Sequence, residues 1–236
     1  MNIHDLDKLQ VVVLEWDSLW DRGTPYEKIL RCIEKYSFGN FNEFDPDYSN
    51  WQPYDFKAVL QKLKRRKKPC IGIRESPACK AEATLSSSEF RNIIQLIANR
   101  QHFESLGIPI NGTIDFVKEI SDILINFHVG YISGEYGSEL TDFYHKENVG
   151  RVPSCFDDFL TWMHFLHPSC YTKYLTREDI LGMPAQEVKE WENGIIQVQI
   201  FDHPFNYDTP ENRQIIVEAS EYLNERHRVF RAAQKE

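Results

Sequence analysis

The residues best suited to chemistry lie in His164-Phe165-Leu166-His167-Pro168-Ser169-Cys170, where two imidazoles and a thiol follow one another at two-residue gaps. Those are zinc-ligand types at a spacing that zinc sites use. Pro168 breaks any helix that would align the three, and no second Cys or His pair lies near. Buried histidines beside an inert thiol are therefore the preferred reading. A small metal-dependent hydrolase using His164, His167 and Cys170 is the catalytic alternative. Pro46-Asp47 followed by Asp55-Phe56-Lys57 copies the paired carboxylates and lysine of a metal-dependent nuclease. Here, however, the first acid sits among turn formers and the second set opens a helix. Cys155 or Cys170 with a histidine lacks a positioned base and oxyanion donors. The chain contains no GxSxG, P-loop or HExxH pattern. The expectation is a protein with no catalytic residues, no metal and no cofactor.

Charge points instead to binding. The formal net charge is −9 over 236 residues, and it is unevenly spread. Residues 1–55 carry 5 Lys/Arg against 11 Asp/Glu, residues 56–80 carry 9 against 1, and residues 81–236 carry 13 against 24. Nucleic acid is a poor partner for such a surface, whereas a basic protein would be drawn to it at long range. The basic run from Lys62 to Lys68 could touch phosphate or an acidic protein, and would then make the chain a non-catalytic scaffold or adaptor. Its simpler reading is a solvated helix end, since cations complement the helix dipole there.

Two loops collect acids and aromatics. One, FGNFNEFDPDYSNWQPYD, is dense in Phe38, Phe41, Phe44, Tyr48, Trp51 and Tyr54. That content argues for a loop packed down on the body, with Glu43, Asp45 and Asp47 outside. The other, FDHPFNYD, interleaves Phe201, Phe205 and Tyr207 with Asp202, His203 and Asp208. Loops carry recognition and aromatics anchor interfaces, so Glu43, Asp45, Asp47, Trp51, Asp202 and Asp208 are the candidate binding residues.

The elements that must position these loops are partly explicit. Leu9 to Trp16 is a continuous apolar run, expected as a strand buried on both faces. Thr24-Pro25-Tyr26-Glu27 opens a helix to about Tyr36, with Ile29, Leu30 and Ile33 inward. A helix from about Asp55 to Arg65 follows, then a strand at CIGIR and a polar stretch. The Ser86-Ser87-Ser88-Glu89 cluster predicts a helix over FRNIIQLIANRQ on the spacing Phe90, Ile93, Ile94, Ile97. GIPING and SDILINFHVGYI are expected as strands, SGEYGSELTDFYHKENVGRVPS as loop, and Phe156 to Leu166 as a short helix or strand. After the turn pair Asn193-Gly194, the alternation of Ile196, Val198 and Ile200 with Gln197 and Gln199 predicts a strand with one wet face. Asp208-Thr209-Pro210-Glu211 then starts a helix whose stripe is Ile215, Ile216, Ala219, Tyr222 and Leu223.

No repeat or linker divides the chain, so one α+β domain over 1–236 is expected, mainly antiparallel sheet packed with several amphipathic helices. The five cysteines are scattered without a CxxC pair and are expected as reduced, mostly buried thiols. No run is long enough to span a bilayer, and MNIHDLDKLQ has neither a basic head nor an apolar signal core. A cytoplasmic protein without a membrane partner is the expectation.

Several pieces, in order, resemble the immunity protein 52 family of bacterial polymorphic-toxin systems. WDSLWDRGTPYEKILRCIEKY, leading to an acidic-aromatic loop that ends at Tyr48-Ser49-Asn50-Trp51, resembles the family's N-terminal strand, helix and Trp-bearing loop. Trp162-Met163-His164-Phe165-Leu166 resembles its Trp-x-x-aromatic-Leu element, and Pro204-Phe205 with Asn206 to Glu211 and the closing helix resembles its C-terminal signature. Where the family has Trp-Gly-x-Arg, this chain has Trp20-Asp21-Arg22-Gly23. The resemblance implies a protein that binds and neutralises a cognate toxin delivered by a system such as type VI secretion. Such toxins are often nucleases of restriction-endonuclease-like fold. The resemblance brings no catalytic residues with it.

Overall fold

The computed structural model describes residues 8–16, 20, 23–36, 40–46, 50–65, 69–75, 81–88, 91–105, 111–124, 126–134, 151–156 and 159–234. The chain is α+β and forms two compact units, Met1–Phe127 and His128–Glu236.

In the first unit six strands pair antiparallel in the order β3-β2-β4-β5-β6-β1. They are β1 (Lys8–Trp16), β2 (Glu43–Asp45), β3 (Gln52–Pro53), β4 (Cys70–Arg74), β5 (Ala81–Ser87) and β6 (Arg91–Asn99). The apolar run of β1 is buried on both faces, as its sequence requires: Leu9, Val11, Val12, Val13 and Leu14 are all in the core. Helix α1 (Tyr26–Tyr36) buries Tyr26, Ile29, Leu30 and Ile33 and packs on α2 (Phe56–Arg65) and on α4 (Asn111–Ile123). Burying each such side chain contributes about 1.5–3 kcal/mol. Across the α1–α4 seam, Tyr36 meets Phe116 edge-on at 6.0 Å, and Lys35 pairs with Glu119 at 2.5 Å.

Three expectations in this unit are corrected. Residues 91–99 form strand β6, not a helix, and only the short α3 (Arg100–Ser105) follows. The segment carries both periodicities, and Asn92, Ile94, Leu96 and Ala98 alternate inward because β1 and β5 pair with it on either side. The polar stretch before it contains β5, whose inward residues Ala81, Ala83, Leu85 and Ser87 are mostly too small to announce a strand. Residues 111–123 are helix α4, with Phe116, Val117 and Ile120 buried, which corrects the strand expected at 111–112 and the first part, 121–123, of the strand expected over SDILINFHVGYI, whose later part does form a strand from Phe127. Residues 107–110 of GIPING lie outside the described residues.

In the second unit four strands run β7-β8-β10-β9, again antiparallel. They are β7 (Phe127–Ser133), β8 (Met163–Leu166), β9 (Glu187–Glu190) and β10 (Ile196–Gln199). Its other described elements are a 3₁₀ turn at Ser154–Phe156 and helices α5 (Pro168–Tyr171), α6 (Arg177–Leu181) and α7 (Pro210–Ala233). Most of the expected loop between Ser133 and Ser154, residues 135–150, lies outside the described residues.

The β9–β10 connection turns at Gly194, with φ +79°, the conformation that an Asn-Gly pair favours. The expected wet face of β10 is corrected, because Gln197 is 1 % exposed. Its amide oxygen accepts from the Trp191 indole at 3.1 Å, which lets a polar side chain sit under cover. Helix α7 starts as its sequence specifies. Thr209 caps it by accepting from the Asn212 amide at 3.2 Å, Pro210 stands at the first turn, and Ile216, Ala219 and Leu223 face inward.

Candidate recognition surface

In the first unit the acidic-aromatic loop is not structureless. Its residues 43–45 and 52–53 become β2 and β3, and β2 lies beside β4 with Glu43 opposite Arg74. That register makes a half-buried ion pair at 2.8 Å, and the same guanidinium stacks over the Trp51 ring at 3.8 Å. Arg74 thus binds two of the candidate residues at once. A pair of this exposure contributes up to about 1 kcal/mol, and a cation–π contact about 0.5–2 kcal/mol.

Asp45 is corrected outright, since it is 0 % exposed where an outward acid was expected. Its carboxylate accepts from the Asn50 backbone amide, which accounts for an acid under cover. Asp47 lies outside the described residues. Phe44 is buried, and Phe41, Trp51 and Tyr54 are half-buried, so the loop is packed down as its aromatics suggested. The Tyr54 hydroxyl donates to Glu34 at 2.9 Å, and burial together with that carboxylate pushes the phenol above its usual range. Asp55 accepts from the Ala58 amide at 2.7 Å and caps α2.

In the second unit Asp202 and Asp208 are both exposed. The segment that carries them is tied at many points. The Trp162 indole donates to the Phe201 carbonyl at 2.9 Å, the Gln199 amide donates to the same oxygen at 3.0 Å, and the Ile200 amide donates to the Trp162 carbonyl at 2.9 Å. The Asn206 side chain donates to both Asp202 oxygens at 3.3 Å, and the Asn212 side chain donates to the Asn206 carbonyl at 2.8 Å. Asp208 pairs with Arg213 on the next turn. Phe201 is buried, whereas His203, Phe205 and Tyr207 are half-buried, so the outward offer of this loop is mixed acid and ring. Its strand and capped helix hold these groups in place.

His164, His167 and Cys170 do not converge. His164 lies on β8 with 0 % exposure, and its Nε2 accepts from the Thr161 amide at 2.8 Å. Its ring packs edge-on against Phe156 at 5.2 Å, and burial lowers its pKa from 6.5 to about 3. His167 caps α5, with its Nδ1 accepting from the Ser169 amide at 3.2 Å and 2.8 Å from the Ser169 hydroxyl. The Cys170 thiol points at the Cys155 carbonyl at 4.0 Å, and burial pushes it up to about 12. Among the described residues no group of three His, Cys, Asp or Glu side chains is placed to hold a metal ion. Cys32, Cys155 and Cys170 are buried free thiols, and burial raises each of them, which suppresses the reactive thiolate. Cys79 lies outside the described residues.

The basic run contributes Lys62, Lys64 and Arg65 to the exposed last turn of α2, while residues 66–68 lie outside the described residues. One polar cluster was not foreseen. Glu15, 5 % exposed, accepts from the Trp20 indole at 2.6 Å and the Asn92 side chain at 3.1 Å through Oε2, and from the Asn126 amide at 3.2 Å through Oε1. Asn92 in turn accepts from the Ser87 hydroxyl at 2.6 Å. The only sequence signal was an acid inside an otherwise buried strand.

No protein-family profile matches the chain, and no curated protein does. Among solved structures it is similar to the Pseudomonas aeruginosa T6SS protein PA0821, at TM-score 0.53 and 8 % identity over 92 % of this chain and 84 % of that one. The likeness is one of fold. Among the described residues no helix is long and apolar enough to cross a membrane.

Proposed function

We propose that this protein is a non-catalytic immunity factor of a type VI secretion setting, which binds a cognate interbacterial toxin and blocks it. The observation that carries this reading is the architecture shared with a T6SS protein over 92 % of the chain, joined to a net charge of −9. A nuclease toxin must present cations to bind phosphate, and an acidic inhibitor competes for the same groups and meets them quickly.

The five candidate contacts within the described residues then divide by accessibility. Asp202 and Asp208 are exposed on the pinned loop before α7, where, among the described residues, Asp202 holds only a neutral amide and Asp208 shares its charge with Arg213. Glu43 and Trp51 are engaged by Arg74, so a partner cation would have to replace that guanidinium. Asp45, buried and bonded to the Asn50 amide, is not available to a partner.

The test has two parts. Tagged protein is used to capture a stoichiometric partner from native lysate, and the chain is then co-expressed with that partner in a sensitive host. The reading expects rescue of growth, and expects Asp202→Lys with Asp208→Lys to weaken rescue and slow association while the thermal midpoint stays within a few degrees. A toxic partner that the double reversal still neutralises at full strength would remove this loop from the interface. A captured partner with no toxicity would remove the immunity reading itself.

A further inference from the structure

We infer that Gly134 is the positioning residue for the loop spanning 201–209, by offering a seat that no side chain can share. Gly134 is buried directly after β7, and a Cβ built on it would stand 2.2 Å from the Pro204 carbonyl oxygen and 2.5 Å from its carbonyl carbon. The third neighbour, Phe205 Cδ1, is at 2.8 Å. The two nearest atoms are backbone, so a rotamer change cannot relieve the overlap and the loop itself has to move. Space is what requires glycine here, in contrast to Gly194, whose requirement is a positive φ.

The seat also explains how an irregular segment stays in register. Strand β8 pairs with β7 through Ile132 and Met163, and Trp162, immediately before Met163, holds the loop entrance through its indole bond to the Phe201 carbonyl. Gly134 meets the middle of the loop at Pro204 and Phe205, and Asn212 on α7 holds its exit at Asn206. Three separate elements therefore fix entrance, middle and exit. Removing the middle one releases the turn in which the Asn206 amide donates to the His203 carbonyl at 3.0 Å and the Thr209 amide to the Asn206 carbonyl at 3.2 Å. The consequence for binding rests on the proposed recognition role of Asp202 and Asp208. The positioning role does not.

Hydrogen exchange on the full-length protein tests it without any partner. Gly134→Ala is expected to speed exchange of the Asn206 and Thr209 amides at least tenfold while the Val198 amide of β10 and the Ile216 amide of α7 keep their protection. The double variant Gly134→Ala with Phe205→Ala is expected to remain fast, because the nearest atoms are those of Pro204. Unchanged exchange at Asn206 and Thr209 would overturn the inference. So would an equal loss of protection at Val198 and Ile216, which would make Gly134 a requirement of the whole unit. Slow exchange restored by Phe205→Ala would also overturn it, by moving the cause from backbone to ring. A protein that passes this test yet neutralises no toxin retains the positioning role and loses only the functional reading.

Discussion

Lowering the pH from 7 to 5 should remove stability through the fully buried His164, beside whatever the partly buried His167 adds. Its ring has 0 % exposure, Nε2 is committed as acceptor of the Thr161 amide, and the proton therefore sits on Nδ1. That nitrogen has no hydrogen-bond partner among the described residues, and Phe156 stands edge-on against the ring. A second proton would place a charge in this setting and break the Thr161 bond, so burial lowers the pKa from the ordinary 6.5 to about 3. The unfolded chain then binds more protons than the folded one between these values. The stability contributed by the neutral ring is fully present above pH 6.5 and is lost progressively as the pH falls toward 3. At pH 5, one and a half units below the unfolded value, the loss is about 2 kcal/mol. His164→Gln keeps an acceptor for Thr161 and cannot titrate. Urea unfolding of both proteins at pH 7 and pH 5 should therefore show the wild type losing about 2 kcal/mol more than the variant over that interval. Equal losses in the two proteins would refute the argument that burial holds this histidine neutral.

Other consequences can be checked on the same protein. Glu15→Gln should destabilise by about 1.5–3 kcal/mol, read from the urea midpoint, because both carboxylate oxygens accept only from donors and an amide nitrogen must face one of them. A loss below about 0.5 kcal/mol would mean that the network rearranges freely. Thr209→Ala should cost about 1 kcal/mol by removing the cap of α7, while Thr209→Ser should be close to neutral in thermal melts. If the two variants melt alike, the hydroxyl is not the capping group.

Much of the frame was legible before any coordinates. The apolar stretch Val11 to Leu14 of β1 meant burial on both faces, and the Thr-Pro starts of α1 and α7, each with a glutamate in the first turn, marked helix entry, because caps and proline act within a few residues. Residues 91–99 show where such reasoning stops. Ile93, Ile94 and Ile97 fit one helical face, while Asn92, Ile94, Leu96 and Ala98 fit one strand face. Only the pairing of β6 with β1 and β5, at large sequence separation, selects the strand. Residues 121–123 failed in the opposite direction: Ile123 shares one alternation with Phe127 and Val129, but in the folded chain Ile123 ends α4 and the strand begins only at Phe127.

The candidate surface divides along the same line. Sequence alone placed Asp202 and Asp208 on an exposed loop, because a strand, a turn-rich gap and a capped helix follow one another locally and leave the acids nowhere else to go. It could not place Arg74 between Glu43 and Trp51, bury Asp45, or find the seat at Gly134. Those contacts join residues far apart in the chain or depend on the close approach of two backbones. Local chemistry set where the elements begin and end, and packing decided which of the acids remain available to a partner.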